Sequence, residues 1–225
     1  MFQFTNFIKE VSLQTFRYKF PFLQIINKIY QYGVQSTLNI IVIGSFCGIA
    51  STILSWYELN LIGLGSAVST AVNIPYFLEI GPLIILFFSS GTLGASICAD
   101  IFTLKKQDQF DMLKSMNIPS IHHFIVPNII SLILILPTLT MIFLLTVVLS
   151  SMLTSITFHL DTAIFYAQLN TQMKPHVLSM PIIKSLANGV SIGLISTYIG
   201  YISEKKRDIS FVTNRSVIHS FMICL

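Results

Sequence analysis

The residues best placed for chemistry are two carboxylates, Glu79 and Asp100, at the two ends of an apolar stretch. Residues 80–99 between them contain no Asp, Glu, Lys or Arg. An ionised group beside hydrocarbon is costly and is therefore a functional candidate by default. We predict that Glu79 lines a substrate cavity, with simple solvation at the membrane interface as the alternative. The same alternative carries more weight for Asp100.

Motifs for bond-making chemistry are absent from the sequence. There is no GxxxxGK[ST] loop, no HExxH and no GxSxG, so no catalytic residue and no cofactor is predicted. His122 and His123 are adjacent and point in different directions on a helix, which favours interfacial cations over a shared metal site. The three cysteines lie in apolar segments without CxxC spacing, which is typical of buried thiols.

The polar segment 105–117 carries the sharpest local signal. Phe110, Leu113 and Met116 recur at helical spacing, while charged side chains occupy another face. A short amphipathic helix of this kind, parallel to the membrane surface, can dock a soluble partner. A solvated loop is the alternative for this segment.

The elements around these residues must be membrane helices. The chain is 53% hydrophobic and only 10% charged, with a mean hydropathy of +0.77, whereas about a quarter of the residues in soluble domains are charged. Its apolar runs reach the roughly 20 residues that one crossing needs. We predict an all-α polytopic membrane protein with about five transmembrane helices. The predicted spans are Val34–Trp56, Tyr76–Thr103, Phe124–Leu149, Ser185–Ser203 and a shortened span that begins near Ile209.

The flanking segments complete this domain organisation. Residues 1–24 mix basic and aromatic side chains, which predicts an interfacial amphipathic segment, with a disordered tail as the alternative. Residues 25–225 form the transmembrane domain. The linker 58–75 is predicted to be a short re-entrant or surface helix. The small residues 89–96 allow close helix packing or leave space for a substrate.

The basic residues indicate the orientation of the chain. With five spans, the N-terminal segment and the loops after spans two and four share one side and contain nearly all Lys and Arg, whereas the other side holds Lys174 and Lys184. Basic residues accumulate on the inner side of membranes, so the N-terminus is predicted to be cytoplasmic or stromal. The net charge of +4 therefore reflects topology, and no nucleic-acid partner is predicted.

Several short motifs within residues 78–137 follow the order and spacing of one family without gaps. The matching segments are Glu79–Pro82 (E-[IL]-G-P), 91–96 (G-x-x-G-A-A-like), 99–104 (A-E-L-G-T-M), 108–113 (E-Q-I-D-A-L), and the V-P and L-P pairs at 126–127 and 136–137. In these motifs, and more weakly over residues 27–221, the chain resembles the permease family of ABC lipid transporters that work with MCE-domain proteins. At two positions where family members usually have Arg, this chain has Leu78 and Thr92.

The resemblance implies a permease subunit of an ATP-binding cassette transporter that moves phospholipid or a related glycerolipid between membranes. It implies a homodimer, a separate ABC ATPase subunit on the inner face and an MCE-domain substrate-binding protein on the outer face. The segment 105–117 would be the cytoplasmic or stromal coupling helix between spans two and three. The implied ATPase contacts are Asp108, Gln109, Phe110, Asp111, Leu113 and Met116. The implied substrate pocket comprises Trp56, Tyr57, Glu79 and Ile80.

Location and alternative functions follow from the same residues. The preference for Ile, Phe, Asn and Lys indicates an A+T-rich genome, which together with the resemblance favours the plastid inner envelope membrane of an alga. A bacterial inner membrane is the alternative. A membrane scaffold that recruits a partner without transport is the second functional hypothesis. A secondary transporter is the third, although it would normally show buried ion-binding acids and internal repeats.

Overall fold

The computed structural model describes residues 5, 7–11, 13, 22–63, 67–116, 119–158, 167 and 175–224. Within these ranges all regular secondary structure is helical. Four of the helices there are long and apolar enough to cross a membrane. The predicted all-α polytopic class is therefore confirmed.

The described residues include four long helices and two shorter ones. Because hydrogen bonds within a helix satisfy every interior backbone group, helices suit a lipid environment. Single π-helical turns interrupt the first helix at Tyr30–Val34 and the second at Tyr76–Ile80 and Ser90–Gly94. The helices are α1 (Phe22–Leu61), α2 (Val68–Lys106), α3 (Gln109–Ser115), α4 (Ser120–Thr157), α5 (Pro175–Ile202) and α6 (Ile209–Cys224).

The helices extend beyond the predicted spans. The first begins at Phe22 rather than Val34, and α5 begins at Pro175 rather than Ser185. Residues 150–157, which follow the predicted span Phe124–Leu149, continue α4 as helix. The charge-free window marks only the part of a helix that suits hydrocarbon, whereas backbone hydrogen bonding continues into the polar flanks.

The last helix is shorter than a full crossing. Helix α6 has 16 residues, about 24 Å at 1.5 Å per residue, against a hydrocarbon core of about 30 Å. Four rather than five helices in the described ranges thus have the length of a span. The linker segment predicted as a short helix is helical at Val68–Pro75 and continues directly into the rest of α2.

The chain divides into two compact units, and the first contains Met1–Gly33, Leu86–Leu136 and Leu186–Leu225. Its helices approach closely at Gly200, where a Cβ atom would lie 2.9 Å from the carbonyl oxygen of Cys98. Small residues permit such close backbone packing in membranes. The core cluster formed there by α2, α5 and α6 contains Cys98, Phe102, Ile195, Ile199 and Val212.

The second unit contains Val34–Ile85 and Pro137–Ser185. Helices α1 and α4 approach closely within it, because a Cβ atom on Gly48 would lie 2.7 Å from the carbonyl oxygen of Val147. The buried hydroxyl of Thr52 donates to the Gly48 carbonyl at 2.6 Å. A hydroxyl that bonds back to its own helix leaves no unsatisfied polar group in an apolar setting.

Candidate functional site

The short helix α3 follows a tight reversal of the chain after α2. Asp108 adopts a left-handed backbone conformation with φ of 58°, which Asp tolerates better than most non-glycine residues. The Asp108 carbonyl accepts hydrogen bonds from the backbone N–H groups of Asp111 and Met112, both at 3.0 Å. These bonds start a helix at Gln109, so the predicted short helix between spans two and three is confirmed.

Phe110 packs α3 against α4 and α5 within the first unit. Its side chain is only 6% exposed, and its ring centroid lies 5.2 Å from that of Phe124 and 5.4 Å from that of Tyr201. Tilted aromatic pairs at such distances add attraction beyond the burial of apolar area. The predicted apolar face of the segment is therefore a packing face at Phe110.

The structure divides the other apolar side chains of this segment differently from the sequence pattern. Leu113 is half-buried, and Met116 lies beyond the last helical residue and is 68% exposed. Because α3 ends at Ser115, the regular face predicted for Phe110, Leu113 and Met116 does not continue to its third member. Met112, which was not among the predicted contacts, is 62% exposed. It lies beside the predicted apolar face, so the sequence pattern did not mark it as a contact residue.

Two lysines connect α3, and the residues just before it, to the end of α5 and the residues just after it. Lys205 forms ion pairs with Asp108 and, at 3.4 Å, with Asp111. The Lys105 ammonium donates to the carbonyl oxygens of Tyr201 at 2.5 Å and of Ser203 at 2.9 Å. A cation at the carbonyl end of a helix is favourable because those oxygens carry partial negative charge.

Neighbouring carboxylates favour the protonated form of Lys205. Its hydrogen bond to the Asp108 carboxylate raises the pKa of the ammonium, because the bond favours the protonated form. Since all three groups are exposed to a large degree, the pairs position side chains more than they stabilise the fold. The sequence contained no sign of this pairing beyond the polarity of both loops.

One side of α3 is fixed and the other is exposed. Phe110 and Lys205 hold α3 against the ends of α4 and α5, and Lys105 holds the end of α2 there, while Met112 and Asp111 remain exposed. Such a mixed apolar and charged surface is typical of a protein-docking element, with an apolar contact and polar groups beside it. No group on it is arranged for bond-making chemistry.

Glu79 and Ile80 lie at the π-helical turn Tyr76–Ile80 in the second unit, and both are exposed. Pi-helical turns within longer helices occur frequently at functional sites. Gly81 permits this turn, because a Cβ atom there would lie 2.6 Å from the carbonyl oxygen of Tyr76. Glycine is thus required by the backbone geometry at the third position of the E-I-G-P motif.

The proline of the same motif creates an opening for a cation. Pro82 has no N–H group and cannot donate to the Leu78 carbonyl four residues earlier. The Lys184 ammonium donates to that carbonyl at 2.7 Å instead. A lysine is therefore held one residue from Glu79 along the turn, which the sequence did not indicate because Lys184 is distant in the chain.

Trp56 and Tyr57, predicted to lie near the same pocket, occupy the last turns of α1 in the second unit. The Trp56 ring packs against Phe158, with ring centroids 4.7 Å apart, and Tyr57 is exposed. Aromatic side chains at this position are typical of a membrane interface.

Asp100, the weaker of the two carboxylate candidates, is held in an ion pair within the first unit. Its Oδ2 atom lies 3.2 Å from the Lys28 ammonium and accepts a 2.6 Å hydrogen bond from the Tyr32 hydroxyl. Charges within membrane segments usually pair in this way. Neither a role in a substrate cavity nor simple solvation anticipated this pairing with α1.

His123, the second residue of the histidine pair, makes a local contact. The Gln24 amide lies within hydrogen-bond distance of the His123 ring, at 3.3 Å from Nδ1. In the part of the chain that the structure describes, no three His, Cys, Asp or Glu residues come together in a metal-binding arrangement.

Comparison with known protein families decides the family. The family model described as Permease MlaE matches residues 25–225, which include α3, the Glu79 turn and all four long helices except the first turn of α1. The chain belongs to the MlaE permease family. The resemblance of the motifs between residues 78 and 137 is thereby confirmed.

Relatives in three settings share this similarity. A probable ABC transporter permease protein of Rickettsia conorii is 25% identical over 204 residues, covering 89% of this chain and 78% of the relative. The intermembrane phospholipid transport system permease protein MlaE of Haemophilus influenzae is 22% identical over 212 residues, covering 93% and 80%. The chloroplastic protein TRIGALACTOSYLDIACYLGLYCEROL 1 of Arabidopsis thaliana is 24% identical over 188 residues, covering 83% and 54%.

As a member of the MlaE permease family, the chain is an integral membrane protein and a permease subunit of a transport system. The predicted membrane class and permease role are thus confirmed at this level.

Proposed function

We propose that the chain is the permease subunit of an ATP-binding cassette transporter that moves phospholipid or a related glycerolipid between membranes. The observation that carries the proposal is the family match over residues 25–225, which includes both α3 and the Glu79 turn. The relative from Haemophilus influenzae is named for intermembrane phospholipid transport. ATP hydrolysis takes place on a separate ABC ATPase subunit.

Helix α3 is the proposed coupling helix, with Asp108, Gln109, Phe110, Asp111, Leu113 and Met116 as its predicted ATPase-coupling residues. The fixed position of Phe110 between two aromatic rings supports different roles for Phe110 and for the exposed residues of α3. Phe110 passes motion to α4 and α5, while Asp111, Leu113 and Met116 meet the ATPase. The exposed Met112 joins this contact surface.

The substrate pocket is proposed to comprise Trp56, Tyr57, Glu79 and Ile80. Glu79 is exposed beside a turn that Lys184 also reaches. A carboxylate and an ammonium near one turn suit a headgroup that carries both charges, and interfacial aromatic rings suit the adjoining glycerol and upper chains. This pairing supports a glycerolipid substrate.

The assembly is proposed to contain two copies of the permease, the ATPase and an MCE-domain substrate-binding protein. Residues 25–225 act as the permease transmembrane domain, and residues 1–24 as an interfacial amphipathic segment. Of that segment, Phe7 contacts the rings of Tyr198 and Tyr201, while residues 1–4, 6, 12 and 14–21 lie outside the described residues. The chloroplastic relative supports a plastid inner envelope location.

The decisive experiment separates coupling from assembly. The tagged chain is captured from native membranes with its partners, reconstituted into liposomes, and assayed for ATP-dependent transfer of fluorescent lipid. Asp111→Ala combined with Leu113→Ala is expected to lower lipid transfer at least about fivefold, because it removes a charged and an apolar contact through which the ATPase would move α3. The ATPase should still co-purify, because most interface side chains each contribute less than about 1 kcal/mol.

The matched control combines Asp208→Ala with Ile209→Ala. It removes one carboxylate and one branched apolar side chain, both exposed, from another loop on the predicted inner side, and should leave transfer unchanged. Unchanged transfer in the α3 variant would contradict the coupling role. Capture of the chain without any ATPase would instead favour a membrane scaffold.

A further inference from the structure

The first unit contains an amphiphilic cavity beside α5 and α6. It measures about 460 Å³, within the range of ligand-binding pockets. Its apolar wall includes Ile195, Ile199 and Ile223. None of the residues predicted for the transported lipid lines this cavity, so it is a second site.

The polar wall of the cavity is mainly basic. Arg207, Arg215 and His219 line it, against one acidic residue, Glu204. The Arg207 guanidinium lies over the Phe211 ring at 5.5 Å, a contact that uses its flat face and leaves its N–H donors at the edge. The cavity thus presents two guanidinium groups to whatever occupies it.

Arg215 has a positive charge that no neighbouring carboxylate among the described residues balances. It lies six residues after the start of α6, about 9 Å along the helix axis, and is the only Asp, Glu, Lys or Arg residue within Ile209–Cys224. In the described part of the chain no carboxylate pairs with it. The Arg215 side chain is exposed, and a guanidinium close to hydrocarbon is costly unless an anion or water reaches it.

His219 extends the same polar stripe by one helical turn. Its Nδ1 atom lies 2.8 Å from the Arg215 carbonyl oxygen, which fixes the ring beside the arginine. With Nδ1 as donor in that bond, Nε2 is the ring atom left for a ligand. Arg215 and His219 therefore act as one recognition element.

We propose that this cavity binds a phospholipid with a net negative headgroup. The headgroup phosphate lies between Arg207 and Arg215, since guanidinium groups bind phosphate through paired, charge-assisted hydrogen bonds. An acyl chain follows Ile195 and Ile199 into the bilayer. Basic pockets between helices on the cytoplasmic side of membranes bind anionic headgroups in this way, and the orientation predicted from the basic residues places this cavity in the inner leaflet.

The charge of the cavity argues against a second copy of the chain as the occupant. A two-fold contact presents the same patch from both subunits, so a second copy would bring its own Arg207 and Arg215 to this basic patch. Like charges in close contact cost energy. A lipid phosphate supplies the missing negative charge and needs no other protein.

The test measures retained lipid directly. The full-length chain is reconstituted into nanodiscs of phosphatidylcholine with increasing phosphatidylglycerol, and bound lipid is counted by native mass spectrometry. The wild type is expected to retain phosphatidylglycerol in preference to phosphatidylcholine. Arg215→Gln is expected to weaken that retention about tenfold, as a lost charge-assisted hydrogen bond predicts, and Arg207→Gln should act in the same direction if Arg215→Gln does not fold.

Lys206→Gln is the matched control, because Lys206 is exposed, adjacent to Arg207 and absent from the cavity wall. It makes the same change in net charge and should retain the lipid as the wild type does. Equal weakening by Lys206→Gln and Arg215→Gln, or no preference for phosphatidylglycerol, would overturn the proposal. If Arg215→Gln loses a dimer but retains the lipid, the cavity lies in a subunit contact, and that result would also overturn the proposal.

Discussion

The α3 helix and the Glu79 turn both expose carboxylates near a lysine from a distant part of the chain, but they are held differently. Side-chain contacts hold α3 in place, because Phe110 is buried between two rings and Lys205 pairs with two carboxylates. At the Glu79 turn, main-chain contacts hold the structure. Gly81 leaves room for the Tyr76 carbonyl oxygen, and Lys184 donates to the Leu78 carbonyl rather than to the Glu79 carboxylate.

This difference fits the two tasks proposed for these elements. The proposed coupling role requires α3 to be fixed to the helices that it moves, and packed side chains do this. The proposed lipid-binding role of the Glu79 turn requires an exposed ionised side chain, and there the main chain sets the shape. We therefore expect side-chain truncation to damage α3 most and backbone crowding to damage the Glu79 turn most.

The largest expected effect is that of Phe110→Ala. Loss of a buried aromatic ring costs about 3–5 kcal/mol in packed cores, and it also frees α3 from Phe124 and Tyr201. The thermal midpoint in detergent should fall, as followed with a thiol-reactive dye that labels buried Cys98 on unfolding. Lipid transfer should be lost. Met112→Ala, on the exposed side of the same helix, should change stability by less than about 0.5 kcal/mol; equal midpoints for both variants would break the contrast between anchor and docking surface.

The next effect is that of Gly81→Ala. The added methyl group would meet the Tyr76 carbonyl at 2.6 Å and Leu144 at 2.9 Å, so the π-helical turn must shift at a cost of about 1–3 kcal/mol. Thermal unfolding and lipid transfer both report the change.

Gly91→Ala is its matched control, because Gly91 also lies in a π-helical turn but has no atom within 4 Å of the place that an alanine methyl group would take. It should be neutral or stabilising by about 0.4–1 kcal/mol, since alanine restricts the unfolded chain. If both substitutions destabilise equally, π-helical geometry as such, and not the crowding at Gly81, is responsible.

The smallest effect is expected for Lys205→Gln. Its exposed ion pairs should contribute little to stability, and less as salt is added. Because the pKa of Lys205 is raised in the folded protein, its contribution is complete below the ordinary lysine pKa of 10.5 and is lost only as pH rises through the higher folded value. The difference from wild type should therefore stay constant between about pH 7 and 9 in thermal unfolding. A difference that disappears within that range would contradict the assignment.

The sequence predicted the membrane class well because hydrophobicity is a local property that one run of residues expresses completely. It also located the short helix after span two, since a polar amphipathic segment between two apolar runs has few other conformations. Span limits were less well predicted. Residues 22–33 and 175–184 extend two helices beyond their charge-free windows, and no local signal separates a helical flank from a loop.

The sequence by itself determined the all-α membrane class, the short helix before span three and the motifs that place the chain in the MlaE permease family. Only the tertiary structure decided that Phe110 is buried while Met112 is exposed, and that Lys205 meets Asp108 and Lys184 meets Leu78. Helical periodicity defines the faces of a helix but not which face finds a neighbour. That choice depends on helices brought together from distant parts of the chain.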